Sequence, residues 1–89
     1  MISDKFIIKK IKDKYTIISL ENNNLDFTNV YNINEIGYLI YIMLKDNKSI
    51  EDIKNKIKEE YNINDDKIII NDINEFILEL KKRNIYLDN

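Results

Sequence analysis

The chain has 89 residues, 44% of them hydrophobic and 34% charged, with 14 basic against 16 acidic side chains and a formal net charge of −2. That balance fits one compact domain with a modest core and excludes a disordered chain; it names no nucleic-acid or membrane partner by bulk electrostatics. With no histidine and no cysteine, disulfide frameworks, thiolate metal centres and the usual nucleophile and base pairs have no members.

The opening residues, "MISDKFIIKKIKDK", lack an apolar core of signal-peptide length, and no run approaches a membrane span, so the reading is of a soluble, cytoplasmic protein. From Lys5 to about Glu21 the chain is rich in Ile, Phe, Tyr and Thr, and "KFIIKKI" and "YTIISL" flank "KDK". This predicts two strands joined by a hairpin with Asp13 near its turn. Lys5, Lys9, Lys10, Lys12 and Lys14 give that hairpin a basic edge, read as a solvated strand face, with a contact for an acidic peptide as the sharper alternative.

"ENNN" at residues 21–24 is a turn cluster of asparagine, the residue that best tolerates positive φ after glycine. A third strand follows, "LDFTNVYNI". Its alternation puts Leu25, Phe27, Tyr31 and Ile33 on one face, interrupted by Asn29, and Asp26, Thr28, Val30 and Asn32 on the other. Three short sequential strands form an antiparallel meander most simply, which leaves the third strand as an open edge.

Helical periods govern the rest. Asn34 is expected to cap the first helix, with Glu35 in its first turn and a stripe of Ile36, Leu39, Ile40, Met43 and Leu44, ending near Lys45. Gly37, the only glycine of a chain with no proline, falls inside this helix, where it costs about 1 kcal/mol relative to alanine. Such a residue predicts close approach of another element. Ser49 and Asp52 form a capping-box start to a second helix with the stripe Ile50, Ile53, Ile57 and Tyr61 and an exposed Lys/Glu face. A third helix starts at Asp65 or Asp66, carries Ile69, Ile73, Phe76, Ile77 and Leu80 toward the core, and ends in Lys81, Lys82 and Arg83. Ile70 widens its apolar face, either as core or as one wall of a groove.

Acid clusters such as Asp65 with Asp66, and Asp72, Glu75 and Glu79, lack the alternation around glycine of a calcium loop and read as caps and a solvated face. No cofactor or catalytic centre is expected. Strands plus three helices also describe a winged helix-turn-helix, so a DNA-binding regulator is the rival reading. The third helix would then enter the major groove, yet it carries acids where phosphates require Lys and Arg.

Taken in order, Ile33 and Asn34, Gly37, "YLIYIMLKDNKS", "IEDIKNKIKEEY" and "DINEFILELKKRNI" resemble the family of the pyrroloquinoline quinone biosynthesis protein D, PqqD. These are the recognition elements for precursors of ribosomally made, post-translationally modified peptides. The resemblance covers Val30 to Tyr86 directly, with Asn47 and Asn84 standing where the family usually has glycine; both positions are expected to take positive φ. It implies an α+β, winged helix-turn-helix-like domain over residues 1–89, strands about 5–33 and helices about 34–84.

The resemblance also implies a non-catalytic adaptor that binds a precursor's leader as an added strand between the third strand and the third helix. That adaptor would present the peptide to a separate maturation enzyme, such as a radical S-adenosylmethionine enzyme or a leader peptidase. On the strand, the implied binding residues are Leu25, Phe27, Thr28, Asn29, Val30, Tyr31 and Asn32. On the helix they are Ile70, Ile73, Asn74, Ile77 and Lys81.

Overall fold

The computed structural model describes residues 1–88. Strands β1 (Phe6–Ile11), β2 (Lys14–Glu21) and β3 (Asn24–Ile33) precede helices α1 (Glu35–Lys45), α2 (Ile50–Tyr61) and α3 (Asp66–Lys82). The sheet is an antiparallel meander in the order β1-β2-β3, so the three-strand, three-helix reading of the sequence holds. Among the described residues, no helix is long and apolar enough to cross a membrane.

Asparagine supplies most of the left-handed backbone that this chain needs. Asn22 and Asn23 take φ of 52° and 66° in the two-residue turn between β2 and β3, the geometry that suits the twist of a hairpin. Asn47 and Asn84, at φ of 59° and 60°, follow the ends of α1 and α3 as expected. At each end the next amide closes a wide loop onto the helix: Lys48 N–H donates to the Met43 carbonyl at 2.9 Å and Ile85 N–H to that of Leu80 at 2.8 Å. These are Schellman ends, and they require the left-handed residue.

The helix starts are capped where the sequence predicts. Asn34 Oδ1 accepts from Gly37 N–H at 2.8 Å, Asp65 Oδ1 accepts from Ile68 N–H at 3.2 Å, and Ser49 and Asp52 exchange both bonds of a capping box. One core gathers Ile17 of β2, Ile40, Tyr41 and Leu44 of α1, Ile53 and Ile57 of α2, and Ile69, Ile73 and Leu80 of α3. Tyr41 lies outside the stripe read from the sequence, yet it is fully buried and its hydroxyl has no hydrogen-bond partner among the described residues. Burial raises its pKa. The chain ends close the core: Ser3 N–H donates to the Ile85 carbonyl at 2.7 Å and Leu87 N–H to that of Met1 at 2.7 Å, over buried Ile2 and Ile85.

Two local expectations are corrected. Lys54 is not solvated like the rest of its charged face but buried, with Nζ 2.7 Å from Glu51 and 3.5 Å from Asp66. Its neighbours Ile53 and Ile57 turn that side of α2 toward the start of α3, and Lys54 goes with them.

The second correction concerns β3. Val30 pairs with Ile18 but Asp26 pairs with Ser19, so Phe27, Thr28 and Asn29 form a bulge with no partners on β2. An odd number of inserted residues reverses which face each side chain takes. Tyr31 and Ile33 therefore pack on the helices, while Leu25, opposite Leu20, lies on the other face of the sheet. The Asp26 carboxylate fastens the bulge by accepting from both the backbone N–H and the hydroxyl of Thr28, and these bonds hold its pKa below the usual carboxylate value.

Candidate functional site

Since β2 pairs with β3 on one side only, the outer edge of β3 has no strand neighbour among the described residues. Where β3 ends and α1 begins, α3 passes at a distance that leaves a cleft of about 350 Å³, lined by Tyr31, Asn34, Ile36, Gly37, Ile40, Asp72, Glu75, Phe76 and Glu79. A strand edge beside a partly apolar cleft offers backbone pairing and side-chain anchoring together.

Gly37 sets the depth of that cleft. A Cβ there would lie 3.2 Å from Ile33 Cβ, 3.3 Å from the capping Asn34 oxygen and 3.4 Å from Phe76 Cε1. The close approach predicted for this glycine is therefore made by the end of β3, the helix cap and an aromatic ring of α3. A narrower dimple of about 40 Å³, lined by Ile36, Ile63, Ile68 and neighbouring isoleucines, shares Ile36, Ile40 and Asp72 with the cleft. Ile68 is 57% exposed there.

At the other end, the Arg83 guanidinium stacks 3.9 Å from the centroid of the Tyr31 ring, and its Nε donates to Glu79 Oε1 at 3.1 Å. This contact bridges β3 and the end of α3. Asp72 and Glu75 face the cleft with no cationic partner among the described residues; Glu75 accepts only a long bond, 3.4 Å, from Asn71.

Of the strand residues implied by the family resemblance, Tyr31 lines the cleft. Phe27, Thr28 and Asn29 occupy the exposed bulge, and Val30 lies beside it at 37% exposed. Leu25 is on the sheet's other face, and Asn32 accepts from Thr16 Oγ1 at 2.8 Å. The helix residues expected to look at the β3 edge do not line the cleft: Ile73 is wholly buried, Ile70 and Ile77 are half-buried, Asn74 is exposed, and Lys81 pairs with Asp88 at 3.1 Å.

Helical geometry accounts for the difference. At 100° per residue, the buried stripe Ile69, Ile73 and Leu80 has Asp72, Glu75, Phe76 and Glu79 on one flank and Ile70, Asn74, Ile77 and Lys81 on the other. The fold turns the first flank toward β3 and α1. The acidic triplet and Phe76 were visible in the sequence as residue types; which flank meets the sheet was not.

Among the described residues, no group of His, Cys, Asp and Glu is gathered closely enough to hold a metal ion. The profile of the family described as coenzyme PQQ synthesis protein D (PqqD) matches residues 12–85. No curated protein matches the chain in sequence. Among solved structures, "TbiB1 in Complex with the TbiA(beta) Leader Peptide" is similar with a TM-score of 0.75 and 23% identity, covering 98% of each chain, a likeness of fold.

Proposed function

This chain belongs to the PqqD family, and from that premise we propose that it is a non-catalytic adaptor that binds the leader of a ribosomally made precursor peptide. The leader adds as a strand to the outer edge of β3, its apolar side chains enter the cleft against α3, and the bound peptide is presented to a separate maturation enzyme. The observation that carries this reading is the conjunction of an unpaired β3 edge with a cleft at its C-terminal end. The TbiB1 structure, in complex with a leader peptide by its description, supports it through the shared fold.

The bulge refines the expected pose. Thr28 donates its N–H to Asp26, so that amide is already satisfied and strand addition has its regular ladder on either side of residues 27–29. Phe27, 63% exposed on the bulge, offers an aromatic surface outside the cleft. The rival reading as a DNA-binding regulator is opposed by α3 itself, which carries Asp72, Glu75 and Glu79 where phosphates would need cations.

Titration of the isotope-labelled chain with leader peptides encoded beside its gene tests the proposal. The expected result is joint amide-shift changes at residues 24–33 and at Gly37, Asp72 and Phe76. Saturable binding that moves only α2, or only the basic β1–β2 hairpin, would refute strand addition at this edge.

A further inference from the structure

The cleft has a charge that the chain's near-neutral total conceals. Asp72, Glu75 and Glu79 project into it from one flank of α3, and no Lys or Arg is among its lining residues. Arg83 neutralises Glu79 alone. The bases of the chain lie off the cleft lining: Lys5, Lys9, Lys10, Lys12 and Lys14 on the first hairpin, Lys54 and Lys58 on α2, where both meet Asp66, and on α3 itself Lys67, Lys82 and Lys81, the last paired with Asp88. Two carboxylates without a cationic partner among the described residues thus flank walls made of Ile36, Ile40, Phe76 and Tyr31, and low-dielectric walls concentrate their field on whatever enters.

Resting on the adaptor reading above, we propose that the cleft selects leaders with a lysine or arginine two residues from an apolar anchor. In an extended peptide, side chains two apart share a face and lie roughly 7 Å from each other. The apolar residue fits the dimple of Ile36, Ile63 and Ile68, which adjoins Asp72; the basic residue then falls along the Asp72–Glu75 flank, about 4.5 Å long at the helical rise. Lys and Arg suit such a place because their methylene stems cover apolar wall while the charged head reaches the carboxylates. An acidic leader is repelled from the same flank, so the cleft discriminates by charge as well as by anchor.

The test is selection of a phage-displayed library of random twelve-residue peptides on the wild-type chain and on the double variant Asp72→Asn/Glu75→Gln, which should melt like the wild type since both side chains are exposed. Wild-type binders that shift the Tyr31, Gly37 and Phe76 amides should be enriched in Lys or Arg two positions from an aliphatic or aromatic residue, and the double variant's binders should lose only the basic preference. For one selected peptide, Lys→Gln and the double variant should each weaken binding about tenfold, more at low salt, with little further loss when combined. Cleft-binding peptides with no basic enrichment, or an unchanged affinity in the double variant, would overturn the charge rule while leaving the adaptor reading intact. Absence of any cleft-binding peptide would remove both.

Discussion

Helix α3 has one closed seam and one open one. Against α2, Ile69 and Ile73 are buried together with Ile53 and Ile57, and Asp66 lies 2.8 Å from Lys58 and 3.5 Å from the buried Lys54. Against β3 and α1, the same helix leaves a cleft, with Phe76 half-buried and Asp72 and Glu75 lacking cations among the described residues. The first seam matches charge with charge and buries its central isoleucines, which is what stability alone requires. The second leaves surface and field unsatisfied, and a ligand would satisfy both.

Breaking the closed seam should have the largest effect. Ile73→Asp places a carboxylate at a fully buried site and should cost more than about 4 kcal/mol, enough to abolish the cooperative thermal melt; a wild-type-like melt would mean that the seam is not structural. Phe76→Ala, on the open seam, should instead separate stability from binding. A loss of about 1–2 kcal/mol in chemical denaturation should accompany at least about a tenfold loss of leader affinity by calorimetry. Equal affinity would place the anchor site elsewhere.

Acid should probe the closed seam next. The Lys58 ammonium, 2.8 Å away, and the nearby charge of Lys54 hold the Asp66 pKa below its ordinary value. A carboxyl with a lower pKa in the folded chain than in the unfolded one stabilises the fold above about pH 4, and that contribution fades as pH falls through the folded value. The melting temperature of the wild type should therefore drop on acidification below about pH 4 more than that of Asp66→Asn; identical profiles would show that the ion pairs are idle. The smallest effect lies at a helix end. Asn84→Gly relieves a left-handed asparagine at φ 60° and should raise stability by up to about 1 kcal/mol, read from the denaturation midpoint, without changing leader affinity.

The fold was largely legible because its signals are local. Asn34, Ser49 and Asp65 cap the helices they precede, and the asparagines after α1 and α3 take the left-handed turns that their positions demand. Gly37 announced a close neighbour, though not that Phe76 would be one of them. Of the residues that line the cleft, Tyr31 was named from the sequence, whereas its α3 wall is formed by Asp72, Glu75, Phe76 and Glu79 and not by the neighbouring flank of Ile70, Asn74, Ile77 and Lys81. Periodicity fixes which residues go inward, and the widening of the apolar face by Ile70 and Ile77 on one shoulder does not by itself tell which shoulder meets the sheet.

By itself, then, the amino-acid order determined the elements, their caps and the meander, since each depends on residues within a few positions of one another. Only the tertiary structure decided the bulge at residues 27–29, the burial of Lys54 and Tyr41, the pairing of the two chain ends, and the flank of α3 that faces β3. Those features come from packing between segments far apart in the chain, where no local period carries the information.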